Sequence, residues 1–97
     1  MNKYQQKLDM LYTDNYSIDM LYIADFLYTR DIKFNDYDLR QLFEIQLINN
    51  IKLTDFLDNF GAFMYDIYMT LNTLTLNTKI INDFAKKHNL KGANYNE

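Results

Sequence analysis

The sequence predicts an all-α protein, a compact single-domain bundle of four to five helices. Apolar residues recur at three- and four-residue spacing along most of the chain, which is the period of a helix with one buried face. The chain has no proline and only two glycines, so Asn, Asp and Thr must mark the helix ends. With 97 residues, 48% of them hydrophobic and none of them cysteine, the chain can bury one core without disulfides.

The first two predicted helices cover about 3–12 and 17–30. Ser17 is suited to begin the second of them, because a serine hydroxyl accepts a backbone N–H at a helix N-terminus.

Two similar segments predict where the next two helices begin. Residues 32–36 read Ile-Lys-Phe-Asn-Asp and residues 51–55 read Ile-Lys-Leu-Thr-Asp. Each offers a capping residue, Asn35 or Thr54, followed by an acid that complements the helix dipole. We therefore expect helices over 36–49 and from Asp55 to about 70. Neither segment follows an Asp-x-Asp-x-Asp-Gly loop, so calcium binding is not expected.

The last predicted helix covers 78–88 and is capped by Asn77 or Thr78. It should end in a Schellman-type turn, with Asn89 in the left-handed conformation and Leu90 folded back. Residues 70–78 are rich in Thr and Asn, which favours a turn or a short extended link. The helical domain is expected to cover 1–91, and residues 92–97 are expected to form a flexible tail.

An apolar stripe with a 3-4 period runs along the helix that starts near Asp55. Its members are Leu57, Phe60, Met64, Ile67, Leu71 and Leu74. The stripe predicts either the spine of the domain core or a coiled-coil seam in a dimer, and the core spine is the expected alternative because the run is shorter than three heptads.

Residue usage gives no support to catalysis, metal binding or a cofactor. The chain has one serine and one histidine, Ser17 and His88, with nothing that brings them together. Asp36 and Asp38 lie two apart, so on a regular helix they point in different directions and cannot chelate one ion. The N-terminal residues lack the apolar segment of a signal peptide, and the longest apolar run, Met20–Ala24, is too short for a membrane span. We expect a cytoplasmic protein that is not an enzyme.

Aromatic residues beside acids are the remaining functional signal. Nine tyrosines and seven phenylalanines exceed what one small core needs, although AT-rich codon usage contributes to the excess. On the predicted helix 17–30, Ile18, Tyr22 and Phe26 form a second stripe interleaved with Asp19 and Asp25. This stripe is either exposed for contact with a partner or, if the helix is central in the bundle, buried on that side as well. The outer face of the helix that starts near Asp55 carries further candidate contact residues: Asp55, Asp58, Tyr65, Asp66 and Met69. Such surfaces suit protein interfaces, since rings give contact area and acids steer a basic partner.

These residues predict a small, non-enzymatic protein-binding module. The expected partner is a larger host protein with a basic surface, such as a nucleic-acid-binding enzyme, on which acids replace phosphates. The size and AT-rich composition are shared by the anti-defence inhibitors of phages, which makes a phage or mobile-element inhibitor the working hypothesis. We expect a monomer or a homodimer.

Two alternatives stay open. Residues 81–90 resemble the first half of a helix-turn-helix, with Ala85 in the tight position, so the basic C-terminal helix could serve a small DNA-associated regulator. The apolar stripe could instead build a homo-oligomeric structural protein. Direct nucleic-acid binding is the weaker expectation, because residues 9–38 carry seven aspartates against Arg30 and Lys33.

Overall fold

Four helices build the protein in the computed structural model, which describes residues 18–92. They are α1 (Ile18–Thr29), α2 (Asp36–Ile48), α3 (Leu53–Leu71) and α4 (Thr78–Lys87). The predicted all-α bundle is confirmed, and each predicted boundary in this part of the chain lies within two residues of the observed one. The predicted helix over 3–12 and the Ser17 cap lie outside the described residues.

The core is organised around α1, which packs against both α2 and α3, while α2 also packs against α4. Phenylalanines fill the space between α3 and α4. The Phe84 ring lies edge-on to Phe56 and Phe60, with centroids 5.6 and 5.1 Å away, and 5.4 Å from Phe63. Edge-to-face rings at this separation attract each other beyond the burial of their area.

Of the three N-caps predicted within the described residues, two are confirmed. The Asn35 side chain accepts from the Asp38 N–H at 2.8 Å, and the Asn77 side chain accepts from the Ile80 N–H at 2.9 Å. The prediction for Thr54 is wrong. Lys52 is the N-cap of α3 and makes no side-chain cap bond, so Thr54 lies inside the first turn. Leu53 packs against the core at this point, which moves the helix start towards the N-terminus.

Three helices end in the same turn. A residue with positive φ follows the helix, and the apolar residue after it donates its N–H to a carbonyl five residues earlier, which is the Schellman pattern. The donor and acceptor pairs are Ile32 to Leu27, Ile51 to Gln46 and Leu90 to Ala85. The left-handed residues are Asp31, Asn50 and Asn89. The turn predicted at Asn89 and Leu90 is confirmed, and the other two were not predicted.

The expected break after α3 is confirmed. The helix stops at Leu71 and Asn72 adopts the left-handed conformation. The link then pairs with the α1–α2 loop in a short parallel bridge: the Lys33 N–H donates to the Leu74 carbonyl, and the Leu76 N–H donates to the Lys33 carbonyl, both at 2.8 Å.

The predicted stripe on α3 is partly wrong. Phe60 and Met64 are buried, and Leu57, Ile67 and Leu74 are half-buried against the core. Leu71 is exposed, and Leu74 lies beyond the helix. The side chains that complete the buried face are Phe56 and Phe63. Apolar residues occur on more than one side of α3, so the 3-4 spacing alone does not identify the buried face. Phe56 and Phe63 face inward because their rings pack against Phe84. A coiled-coil seam through the whole stripe is not available, because its central members are already in the core.

Polar side chains are buried between α2 and α4. The Thr78 hydroxyl donates to the Gln41 side-chain carbonyl at 3.3 Å. Asp38 is also buried, and this burial raises the pKa of its carboxyl above the ordinary value of 3.8.

The chain after α4 is tied to the end of α2. The Asn49 side chain accepts from the Lys91 N–H at 2.8 Å and donates to the Lys91 carbonyl at 3.0 Å. Gly92 has a φ of 90°, and a Cβ at this position would lie 3.1 Å from the Ile48 side chain, which would have to shift slightly to admit it. The first residue of the predicted tail is thus packed on α2, and residues 93–97 lie outside the described part of the chain.

Candidate functional site

The outward surface of α3 is exposed along its whole length. We call this surface the α3 outer face, and its seven members are all exposed: Asp55, Asp58, Asn59, Ala62, Tyr65, Asp66 and Met69. Tyr65 and Met69 expose 62% and 64% of their surface. These residues therefore point away from the core, as predicted.

The phenylalanine rings lie mainly in the core, whereas the tyrosine rings, which carry a hydroxyl, lie mainly at the surface. All seven phenylalanines are buried or half-buried. Four of the five tyrosines in the described residues are exposed, namely Tyr22, Tyr37, Tyr65 and Tyr68. A tyrosine buried without a hydrogen-bond partner for its hydroxyl is costly, whereas an exposed one offers a large contact area with a polar tip. The surface rings are therefore the tyrosines.

The candidate residues on α1 separate into two groups. Tyr22 and Asp25 are exposed, and Tyr22 shows 57% of its surface. Asp19 is half-buried, and its carboxylate accepts from the Gln46 side-chain amide at 3.4 Å. Asp19 thus stands beside the end of α2, in a concavity that Leu53 at the start of α3 also lines.

The expectation of an exposed Phe26 is wrong. The side chain is 8% exposed and belongs to the core. Its ring lies 6.4 Å from that of Phe60, and a Cβ on Gly61 would meet its edge at 3.0 Å. The Arg30 guanidinium covers the ring at 3.8 Å from the centroid. Helix α1 is central in the bundle, so the stripe that carries Phe26 is used for packing on α3.

Two concavities lie along the boundary between α1 and α3, and Arg30 lines both. The first, of about 420 Å³, lies between Tyr22 and Asp25 on α1 and Leu53 and Leu57 on α3. The second, of about 320 Å³, is bordered by residues nearer the C-terminal end of α3: Gly61, Met64, Tyr65 and Tyr68. The exposed Tyr22 therefore lines the first concavity, and the exposed Tyr65 and Tyr68 line the second. Sequence reasoning missed Tyr68 and Arg30, although Tyr68 follows Tyr65 by three residues and so belongs to the same side of the helix.

Negative charge concentrates on these two helices. Neither α1 nor α3 contains a lysine or arginine, and α3 alone carries three aspartates. The nearest cation on α4 is Lys87, whose amino group lies 3.9 Å from the Asp66 carboxylate. Both side chains are largely exposed, so water and salt screen this ion pair and it neutralises the charge of Asp66 only weakly.

The basic α4 makes local contacts. Lys79 pairs with Asp83 at 2.9 Å, and the His88 ring lies 4.8 Å from Phe84 at the C-cap of the helix.

No group of three or more His, Cys, Asp or Glu side chains within 18–92 is placed to hold a metal ion. None of the helices in this range combines the length and the apolar run needed to cross a bilayer.

In comparisons with known proteins, no family model, no curated protein and no solved structure matches the chain.

Proposed function

We propose that this protein is a small, non-enzymatic binding module that docks the α3 outer face, with Tyr22 and Asp25 of α1 beside it, on a basic surface of a larger host protein. The observation that carries the proposal is the exposure of the whole outer face, which combines three carboxylates with Tyr65 and Met69 and contains no cation.

Physical chemistry supports a protein partner for such a surface. Tyrosine and methionine are enriched in interface cores, and the tyrosine ring gives contact area at the cost of few torsions. Surface carboxylates accelerate encounter with a positively charged partner and disfavour phosphate backbones.

A nucleic-acid-binding enzyme of the host is the partner class that this charge pattern favours. Its basic groove binds phosphates, and the aspartates of α1 and α3 would occupy their place. The protein would then be a phage or mobile-element inhibitor of that host enzyme, acting in the cytoplasm. The AT-rich residue usage agrees with such an origin.

The test is capture of the partner by the wild-type chain, followed by comparison of its binding to the wild type and to a charge-reversed variant. Purified wild-type chain is immobilised, retained host proteins are identified by mass spectrometry, and the binding of each purified candidate is measured by calorimetry. Combined Asp25→Lys, Asp58→Lys and Asp66→Lys substitutions should abolish binding and leave the helical circular dichroism intact. Glu44→Lys on α2, outside the proposed surface, is the matched control and should bind as the wild type does.

Two results would contradict the proposal. Binding that survives all three reversals would exclude this surface. Salt-dependent binding of the wild-type chain to duplex DNA, lost in a Lys86→Glu and Lys91→Glu variant, would favour the DNA-associated regulator instead.

A further inference from the structure

A single positive charge stands between the two concavities of the α1–α3 boundary. Among the described residues that line them, Arg30 is the sole cation and the sole residue common to both. The first concavity follows α3 from Leu53 to Leu57, and the second follows it from Gly61 to Tyr68. Because one succeeds the other along α3, the Arg30 side chain lies where they meet. The rest of both linings is mainly apolar or aromatic.

The Arg30 guanidinium is held in place by its surroundings. Its carbon lies 3.8 Å from the centroid of the Phe26 ring. Its Nη1 donates to the Thr29 hydroxyl at 3.2 Å and to the Phe26 carbonyl at 3.5 Å. The backbone is fixed as well, because Arg30 stands inside the turn in which the buried Ile32 donates to the Leu27 carbonyl. A group that is held before binding loses little conformational freedom when a ligand arrives.

The charge of Arg30 is not matched by an acid of the protein. No ion pair within the described residues includes Arg30. Both of its hydrogen bonds within residues 18–92 use Nη1, so Nε and Nη2 keep their N–H groups for a ligand. This edge of a guanidinium binds a carboxylate through two parallel hydrogen bonds. The side chain is therefore set up to hold one carboxylate between two apolar hollows.

The local charge favours a carboxylate over a phosphate. Asp25 also lines the first concavity, so one guanidinium and one carboxylate already stand beside each other there. A phosphate monoester carries about two negative charges at pH 7 and would meet Asp25 without a second cation. The concavities, of about 420 and 320 Å³, lie at the small end of the range of about 300–1,000 Å³ for ligand pockets. Each is thus of a size for one large apolar side chain.

The spacing of the two concavities matches an extended chain. The stretches of α3 that border them, Leu53–Leu57 and Gly61–Tyr68, have midpoints about ten residues apart, which is about 15 Å along the helix axis. In an extended segment, side chains two residues apart lie on the same side, and four residues span about 13 Å. An acid with an apolar residue two positions before it and another two positions after it would therefore reach Arg30 and both concavities.

We infer that the α1–α3 boundary binds an extended segment of a partner protein in which one Asp or Glu has a large apolar residue two positions away on each side. The carboxylate accepts from Nε and Nη2 of Arg30, and the apolar side chains occupy the two concavities. The inference goes beyond the proposed function, which depends on the acids of the α3 outer face and does not use Arg30.

Nuclear magnetic resonance titration of the ¹⁵N-labelled full chain tests the inference. The probe is the peptide Gly-Leu-Ser-Glu-Ser-Leu-Gly, acetylated and amidated so that its ends are uncharged, and the control peptide has Gln in place of Glu. The Glu peptide should bind about tenfold more tightly and should shift the Nε–H signal of Arg30. The chain has two arginines, so the spectrum of Arg30→Gln assigns that signal.

Variants of the protein separate the charge from the apolar contacts. Arg30→Gln should reduce the affinity for the Glu peptide to that for the Gln peptide, and Arg40→Gln on α2 is the matched control that should change neither. Tyr22→Ser in the first concavity and Tyr68→Ser in the second should each weaken both peptides about fivefold. All four side chains are exposed, so the variants should keep wild-type circular dichroism.

Three results would overturn the inference. Equal affinities of the Glu and Gln peptides, or an unchanged affinity of the Glu peptide for Arg30→Gln, would leave Arg30 with a structural role only. Affinities that survive both tyrosine replacements would remove the concavities from the site. Tighter binding of a peptide that ends in leucine with a free carboxylate would assign Arg30 to a chain terminus. The capture experiment decides the proposed function separately, because its charge reversals leave Arg30 unchanged.

Discussion

Replacement of Phe84 by alanine should remove a large part of the stability of the fold. The side chain is 1% exposed and its ring meets those of Phe56, Phe60 and Phe63. Losing about 150 Å² of buried apolar surface costs about 4 kcal/mol at 25 cal/mol per Å², within the range measured for Phe→Ala in cores. A chain of this size has a free energy of unfolding of about 10 kcal/mol, so the variant would keep little more than half of it.

Urea unfolding followed by circular dichroism at 222 nm measures this loss. Phe84→Leu should cost about 1.5 kcal/mol, because leucine fills most of the space but forms no edge-to-face contact. Tyr65→Ala is the matched control from the surface and should change the free energy of unfolding by less than about 0.5 kcal/mol. A loss below about 1.5 kcal/mol for Phe84→Ala, or an equal loss for Tyr65→Ala, would refute the division of rings into core and surface.

Two further predictions concern helix starts and a buried acid. Asn35→Ala and Asn77→Ala should each lower the free energy of unfolding by about 1 kcal/mol, because each removes a cap hydrogen bond. Thr54→Ala should change it by less than about 0.5 kcal/mol. Equal losses for all three variants in urea titrations would mean that Thr54 does cap the helix. Burial raises the pKa of the Asp38 carboxyl above 3.8, so the folded state binds this proton more tightly than the unfolded state and loses stability as the carboxyl ionises. Asp38→Asn should therefore gain stability over the wild type at pH 7 and lose that advantage below pH 3.8; an advantage that stays constant from pH 7 to pH 3 would contradict the assignment.

Local signals made most of the fold predictable. Asn35 and Asn77 identify their helix starts because a single side-chain bond within three residues determines the cap. The turn at Asn89 and Leu90 is equally local. Thr54 failed as a cap because the burial of Leu53, a tertiary effect, shifted the helix start.

Which side of a helix is buried depends on the neighbouring helices that pack against it, and the sequence does not reveal these neighbours. On α3, the exposed positions were predicted from the polar residues Asp55, Asp58 and Asp66, whose preference for water is strong. The buried positions do not follow from residue type, because Phe56, Leu57, Phe60 and Phe63 all favour the core. Ring contacts with Phe84, and with Phe26 at Phe60, distinguish the buried ones. Phe26 was misplaced for the same reason, since the sequence does not show that α1 lies between two other helices.

The three Schellman turns also bear on how a gene of restricted base composition encodes a fold. The left-handed position after a helix is usually filled by glycine, whose codons begin with two guanines. Here Asp31, Asn50 and Asn89 fill it, and asparagine tolerates this conformation with codons that contain at most one cytosine. The ends of three helices can thereby be encoded with almost no demand for G or C, so sharp turns are compatible with the AT-rich codon usage that the residue composition indicates.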